Sequence, residues 1–245
     1  MTVAVSPASA RIEQLRSLLL RGRALIFDVD GTLAETEELH RQAFNEAFAR
    51  AGMDWHWGRT VYKDLLRVAG GKERIRAFDQ GRKSARPLLD GDIADLHRIK
   101  TGCFADLLAK QGCPLRPGVH ALISVAMARG QRLAIATTTS RENIDALLSA
   151  ALGRNWSDIF DDVVAGDEVP RKKPAPDVYL EALSRLRLSG SDCLAIEDSA
   201  NGLIAALHAE IPVLITRSLY FQDDDFTEAL LVLDDLTELP EIYSA

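Results

Sequence analysis

Cysteine and long apolar runs are both scarce in this sequence. The three cysteines, Cys103, Cys113 and Cys193, are odd in number, and no two are spaced as C-x-x-C. This pattern argues against a disulfide framework and against a cysteine zinc site, so we predict that each is a small buried apolar residue in a reducing, cytoplasmic setting. No apolar stretch approaches the ~18 residues that a membrane-spanning helix needs, so no membrane partner is expected.

Basic charge is also in short supply. Lysine and arginine number 29 against 36 acidic residues, which gives a formal net charge of −7. Because binding to a nucleic-acid backbone requires a basic face, no nucleic-acid partner is expected. A local cluster of cations can still hold a small phosphorylated metabolite. Internal repeats and low-complexity segments are absent too, and 245 residues fit one domain with an insert.

The first 22 residues are rich in serine, alanine and arginine. We predict an N-terminal extension over 1–22 that carries a short surface helix over 10–20. Its apolar run "SLLL" is too short for a secretory signal. A cytoplasmic location is therefore expected, and organelle import through this extension is the alternative, because Glu13 is the only acid before Asp28.

The spacing of apolar residues predicts an α/β protein with a helical insert. A buried strand is expected over 23–28, and from Glu35 to Pro114 only helical patterns follow. Helices are predicted there from residue 35 to 51 and over 62–66, 74–78, 88–96 and 99–110. Further strands are predicted over 132–137, 161–166, 193–198 and 212–216, and the helices between them over 119–129, 142–151, 177–186 and 201–209. This alternation of continuous apolar strands with helices indicates a parallel sheet covered on both faces.

Polar residues follow the ends of the predicted strands. They are two aspartates after the first strand, a run of hydroxyls after the second, lysines beyond the third and two acids after the fourth: Asp28, Asp30, Thr137, Thr138, Thr139, Ser140, Lys172, Lys173, Glu197 and Asp198. Ligands of open parallel sheets bind beyond the carboxyl ends of the strands. We therefore expect these side chains to converge on one edge.

This set of residues suits phosphoryl transfer. Several carboxylates with only oxygen ligands favour Mg²⁺ over zinc. One carboxylate can attack phosphorus and another can move protons, while a lysine and hydroxyl groups hold the phosphoryl oxygens. Structural roles remain open at this point: an Asp-Gly turn at Asp30, a helix N-cap at Ser140, and first-turn helix acids at Glu197 and Asp198.

Four segments resemble, in order, the motifs of the haloacid dehalogenase (HAD) superfamily: "DVDGT" at 28–32, Thr137, Lys173 in "KKPAPDVY", and "IEDSANG" at 196–202. The resemblance implies a HAD-like Rossmannoid core over 23–36 and 115–245, with a helical type-one cap over 37–114. It also implies that Asp28 is the nucleophile and Asp30 the general acid and base. Mg²⁺ would be held by Asp28, the backbone carbonyl of Asp30 and Asp198, with Glu197 as a further candidate.

Within the superfamily, "DVDGTLAETEELHRQAFNEAF" and "GGKERI" closely resemble the CbbY-type phosphatases, which remove a phosphate from xylulose-1,5-bisphosphate. By this resemblance, Lys72, Arg74 and Lys100 would bind the phosphate that is not cleaved. Glu35 would contact substrate hydroxyls, and His40 would contact Asp30 when the cap closes. Thr138 and Thr139 are further candidates for substrate binding.

The expected function is that of a Mg²⁺-dependent phosphatase acting on a small sugar phosphate. An aspartate at position 30 favours a phosphatase or phosphomutase over a dehalogenase within this superfamily. β-Phosphoglucomutase and phosphoglycolate phosphatase share the same layout and are the alternatives, together with a non-catalytic sugar-phosphate binding protein. A monomer is expected. Trp55 and Trp57 are predicted to take part in aromatic cap-core packing, with a role in shaping the pocket as the alternative. Four histidines are predicted at the surface or on helix faces: His56, His97, His120 and His208.

Overall fold

Six strands form one parallel sheet in a computed structural model that describes residues 7–82 and 86–239. The strand order is β3-β2-β1-β4-β5-β6. The strands are β1 (Ala24–Phe27), β2 (Arg132–Ala136), β3 (Asp162–Val164), β4 (Cys193–Glu197), β5 (Val213–Thr216) and β6 (Leu231–Leu233). The predicted α/β class with a parallel sheet is confirmed.

Strand β1 lies at the centre of the sheet and brings three strand ends level. All of its residues are buried. Phe27 is in register with Ile135 of β2 and with Ile196 of β4. Because the three strands run parallel and in register, the residues that follow them emerge side by side at one edge. This pairing places the polar residues after β1, β2 and β4 next to one another.

Helices cover the sheet and form the insert between β1 and β2. They are α1 (Pro7–Arg21), α2 (Glu37–Arg50), α3 (Arg59–Leu65), α4 (Gly71–Gly81), α5 (Asp90–Gln111), α6 (Val119–Ala128), α7 (Arg141–Leu152), α8 (Asp177–Leu186) and α9 (Ala200–His208). The helical prediction over 88–96 and 99–110 is confirmed from residue 90 onward, but the break between the two segments is wrong, because α5 is continuous. The apolar face of α5 is interrupted by Lys100, which is itself buried.

The insert, which comprises α2 to α5, has an aromatic core of its own. Trp57 is fully buried, and its ring centroid lies 4.6 Å from that of Phe44 and 4.8 Å from that of Phe48. Trp55 packs on Phe48 at 5.4 Å, so the predicted packing role of both tryptophans is confirmed. We propose the division into a core over 23–36 and 115–245 and a cap over 37–114, which agrees with the start of α2 at Glu37.

The N-terminal helix is longer and more deeply packed than predicted. Leu15 and Leu19 of α1 are fully buried, and Arg11 donates a hydrogen bond to the carbonyl oxygen of Thr227 at 2.7 Å. Just after the end of the helix, the carbonyl oxygen of Gly22 accepts a hydrogen bond from Gln131 at 2.8 Å. The prediction of a helix at the surface is confirmed, since residues 9–14, 20 and 21 are exposed, but one side of the helix is packed into the core. Residues 1–6 lie outside the described part of the chain.

Two features at the edges of the sheet differ from the prediction. Strand β6 was not predicted, because three apolar residues are too few to show a period; it pairs with β5 through Leu214 and Leu231. Strand β3 is shorter than the segment 161–166. All three cysteines are buried and unpaired, as predicted. Within the described ranges, no helix has the length and apolar content needed to span a membrane.

Candidate active site

The turn after β1 brings Asp28 and Asp30 to the edge of the sheet. Gly31 has φ +83°, and a Cβ atom at this position would lie 1.9 Å from Oδ2 of Asp198. Both the left-handed backbone and the close approach require glycine. The amide of Gly31 closes the turn by donating to the carbonyl oxygen of Ala34 at 2.8 Å. The glycine of "DVDGT" therefore lets the first and last acidic segments meet.

Three buried carboxylates form the floor of the site. Oxygens of Asp28, Glu197 and Asp198 all lie within 4.8 Å of one another. Burial, with Glu197 and Asp30 nearby, raises the pKa of Asp28 to about 7 despite the pull of Lys173. Burial and the charge of Asp28 raise the pKa of Asp198 well above its ordinary value.

This acidic cluster fits a divalent cation. Oδ2 of Asp198 is buried and has no hydrogen-bond partner among the described residues. Like charges this close in a buried site repel one another unless a proton or a cation neutralises them. All the side-chain donors are carboxylate oxygens, which are the ligands that Mg²⁺ prefers.

Lys173 neutralises one side of this cluster. Its Nζ donates to Oδ1 of Asp28 and to Oε1 of Glu197, both at 2.6 Å, and to the carbonyl oxygen of Ala136 at 2.9 Å. Burial lowers the pKa of Lys173, but the two carboxylates outweigh burial and raise it above its ordinary value. Tyr179 donates to the same Oε1 of Glu197 at 2.7 Å. Glu197 therefore helps to fix the position of the Lys173 ammonium group.

Asp30 lies in a separate hydrogen-bonded chain that runs into the cap. Its Oδ1 accepts from Thr36 at 2.5 Å and lies 3.0 Å from Nε2 of His40. Nδ1 of His40 lies 2.8 Å from Nζ of Lys100, and its ring stacks on Phe104. Burial raises the pKa of Asp30, but His40 and Thr36 outweigh burial and lower it, whereas burial and the Lys100 ammonium lower the pKa of His40. Asp30 is thus ionised at neutral pH.

The hydroxyl-bearing segment after β2 forms another wall of the same cavity. The amide of Thr137 donates to the carbonyl oxygen of Val164 at 3.1 Å, and its hydroxyl accepts from the amide of Thr139 at 3.3 Å. Thr138 also lines the cavity. Ser140 occupies the N-cap position of α7, but its hydroxyl makes no capping bond.

The cap contributes three cations to the cavity lining. Lys72, Arg74 and Lys100 all line the cavity. Arg74 is buried and donates to the hydroxyl of Tyr62 at 3.1 Å, and Tyr62 donates to Oε2 of Glu37 at 2.6 Å. Nε of Arg74 is buried without a hydrogen-bond partner in the described ranges. Two of these cations thus come from deep inside the cap.

Two predicted site residues, Glu197 and Glu35, do not line the cavity. Glu197 is fully buried and accepts a hydrogen bond from Lys173, whereas Glu35 lies elsewhere. Oε1 of Glu35 lies 3.4 Å from Nε of Arg116, and its Oε2 accepts from the amide of Leu219 at 3.4 Å. Glu37, which was not predicted, lines the cavity instead. The signal for it was available, because Glu37 precedes His40 by one helical turn and shares its face.

Other lining residues were also missed by sequence reasoning. His97 was predicted at the surface or on a helix face, yet it lines the cavity, and burial lowers its pKa to about 3. Others include Asn143, Asp167, Ser199, Asn201 and Phe221. Ser199 and Asn201 lie inside the segment "IEDSANG" quoted above, whereas Asn143, Asp167 and Phe221 reach the cavity only through the packing of separate elements.

Comparisons with known proteins agree with this geometry. A profile for haloacid dehalogenase-like hydrolases matches residues 23–210. The chain belongs to the haloacid dehalogenase-like hydrolase family. The resemblance to this family is confirmed, and membership supports the expectation that the protein is an enzyme with phosphatase activity.

Relatives within this hydrolase family carry the name CbbY. Protein CbbY of Rhodobacter capsulatus is 52% identical over 215 residues, which span 88% of this chain and 94% of that protein. The crystal structure of CbbY from Rhodobacter sphaeroides in complex with phosphate has a TM-score of 0.85 at 47% identity, covering 89% of this chain and 96% of that one. A mutant of that protein, in complex with xylulose-1,5-bisphosphate, matches with the same values.

The buried acids predict how stability changes with pH in the absence of metal. The pKa of Asp28 rises from 3.8 unfolded to about 7 folded, so its contribution is fully present below pH 3.8 and is lost as pH rises through 7. The quantity to follow is the free energy of unfolding of the wild type minus that of Asp28→Asn, both measured in EDTA. We expect this difference to fall by about 2 kcal/mol between pH 5 and pH 7.5.

Urea unfolding of both proteins at each pH would measure this difference. Histidine titrations are common to the two proteins and cancel. Added Mg²⁺ is expected to restore the stability of the wild type at pH 7.5, because the cation would neutralise the carboxylates in place of the proton. A pH-independent difference would contradict the raised pKa of Asp28.

Proposed function

We propose that this protein is a Mg²⁺-dependent phosphatase of small sugar phosphates, with xylulose-1,5-bisphosphate as the favoured substrate. The observation that carries the proposal is the placement of Asp28. It lies against Lys173 and the acidic floor, with Asp30 two residues away and held separately by the cap. A nucleophile, a charge-neutralising lysine and an independent acid and base meet at one cavity.

The proposed reaction has two steps. The first step requires Asp30 in its protonated form, which the second step regenerates. A carboxylate oxygen of Asp28 attacks phosphorus, the bond from phosphorus to the sugar oxygen breaks, and the protonated Asp30 gives that oxygen its proton. In the second, Asp30 takes a proton from water, which attacks the aspartyl phosphate and releases free phosphate and Asp28. Nε2 of His40 lies 3.0 Å from Oδ1 of Asp30. His40 therefore links the carboxyl group that moves the proton to cap helix α2.

The remaining core residues bind and orient the phosphoryl group. Mg²⁺ would be held by Asp28, Asp198 and the backbone carbonyl of Asp30, and when bound it would neutralise the phosphoryl oxygens. Thr137 and Lys173 would hold the same group through hydrogen bonds. Glu197, which accepts bonds from Lys173 and Tyr179, would act by positioning the lysine.

The cap wall supports a substrate with a second phosphate. Lys72, Arg74 and Lys100 face the cavity that contains Asp28, and Arg74 is buried with an unpartnered Nε among the described groups. A buried guanidinium and two ammonium groups match a phosphate dianion better than a neutral hydroxyl. Glu37, which lines the cavity, is better placed for sugar hydroxyls than Glu35, and Thr138 and Thr139 complete the proposed binding set.

Phosphate release with and without Mg²⁺ tests the proposal. The panel is xylulose-1,5-bisphosphate, ribulose-1,5-bisphosphate, β-glucose-1-phosphate and phosphoglycolate. We expect strong preference for the first compound and loss of activity in EDTA. An isomeric sugar phosphate in place of free phosphate would identify a phosphomutase instead. Binding without turnover of any compound would contradict an enzymatic role.

A further inference from the structure

A single carboxylate bridges cap and core at the cavity wall. Oδ1 of Asp167 lies 3.5 Å from Nζ of Lys72, on cap helix α4, and 3.3 Å from Nζ of Lys172, on a core loop. Lys172 also donates to the carbonyl oxygen of Gly166. All three charged residues line the cavity that contains Asp28. Asp167 thus joins two ammonium groups that belong to different parts of the fold.

The loop that carries Asp167 is held against the hydroxyl segment. The amide of Gly166 donates to the carbonyl oxygen of Thr139 at 2.9 Å, and a Cβ atom at Gly166 would lie 2.2 Å from the carbonyl oxygen of Thr138. Glycine is required by this close approach. The backbone of Asp167 is therefore fixed relative to the site, while its side chain remains 52% exposed and free to turn into water.

Asp167 and the lysines are mutually neutralised. Burial raises the pKa of Asp167, but Lys172 and Lys72 outweigh burial and lower it, so the group is ionised at neutral pH. A phosphate group carries about −1.5 to −2 charges at pH 7 and three acceptor oxygens. Such a group can replace one carboxylate and contact both lysines.

We propose that Asp167 is a resident counter-ion that competes with the uncleaved phosphate of the substrate for Lys72 and Lys172. Lys172 then becomes a core-side ligand of that phosphate, beside the cap residues assigned above. This inference rests on the proposed function. Because the product keeps this phosphate, Asp167 also favours its release by reclaiming the two lysines. A substrate with only the cleaved phosphate leaves the Asp167 pairs intact.

Binding measurements on Asp167→Asn test the competition directly. The measurement is isothermal titration in an Asp28→Asn background, which needs no turnover. Removing one exposed carboxylate partner should tighten binding of xylulose- and ribulose-1,5-bisphosphate by about three- to tenfold. Binding of β-glucose-1-phosphate should change less than about twofold. Lys172→Met should weaken bisphosphate binding and remove most of the gain from Asp167→Asn.

Glu168→Gln is the matched control. Glu168 is the next acid along, pairs with Arg185 at 3.0 Å and is not among the cavity-lining residues, so bisphosphate affinity should not change. Equal tightening for β-glucose-1-phosphate would reduce the effect to general repulsion and overturn the inference. The inference would also be overturned if bisphosphate affinity were the same with and without Asp167→Asn, or if neither protein bound the bisphosphates detectably. The proposed function fails separately, if the wild type does not release phosphate from xylulose-1,5-bisphosphate.

Discussion

Asp28→Asn is expected to abolish phosphate release while the protein stays folded. Loss of a catalytic nucleophile typically costs about four to six orders of magnitude in kcat. The carboxamide has no anionic oxygen with which to attack phosphorus. Its carbonyl oxygen can still accept the hydrogen bond that Lys173 gives to Asp28 at 2.6 Å, so the local geometry is retained. Phosphate release and thermal unfolding of the variant measure the two effects separately.

The size of this loss decides the role of Asp28. Asp145→Asn is the control, because Asp145 is an exposed acid on α7, and its activity should equal that of the wild type. Substrate binding by Asp28→Asn should persist, since Thr137, Lys173 and the cap cations are unchanged. Activity within about tenfold of the wild type would contradict the assignment of Asp28 as the nucleophile.

Lys173→Met is expected to damage both stability and activity. Lys173 is 5% exposed and pairs with Asp28 and Glu197, so its removal leaves two buried carboxylates without their cation. Breaking a buried pair in this way costs about 3–5 kcal/mol. Loss of a preorganised donor to the phosphoryl group should lower kcat by about 10²- to 10³-fold or more. Urea unfolding in EDTA and phosphate release with Mg²⁺ measure these losses.

The stability loss should depend on pH in a defined direction. Lys173 is the charge that lowers the pKa of Asp28, so without it this pKa rises further, and the variant should recover stability as the pH is lowered from 7.5 to 5. The control is Lys63→Met, whose exposed pair with Asp223 should contribute little to stability because solvent screens it. Equal losses in the two variants would show that Lys173 does not neutralise the floor.

The cap residues show where prediction from sequence was incomplete. Spacing and resemblance led to Lys72, Arg74, Lys100 and His40, and all four line the cavity. Glu35 and Glu37 are two residues apart, and only Glu37 lines it. Successive helical residues point about 100° apart, so a sequence motif that spans the start of a helix does not show which of its acids faces inward.

The sequence by itself determined the order of strands and helices and the residues that end the central strands. Apolar runs followed by Asp28, Thr137 and Glu197 are local patterns, and parallel pairing in register carries them to one edge. Tertiary structure alone decided the burial of Leu15 and Leu19 on α1, the place of His97 and the bridge made by Asp167 between Lys72 and Lys172. These contacts join segments far apart in the chain, and their geometry depends on how the cap packs against the core.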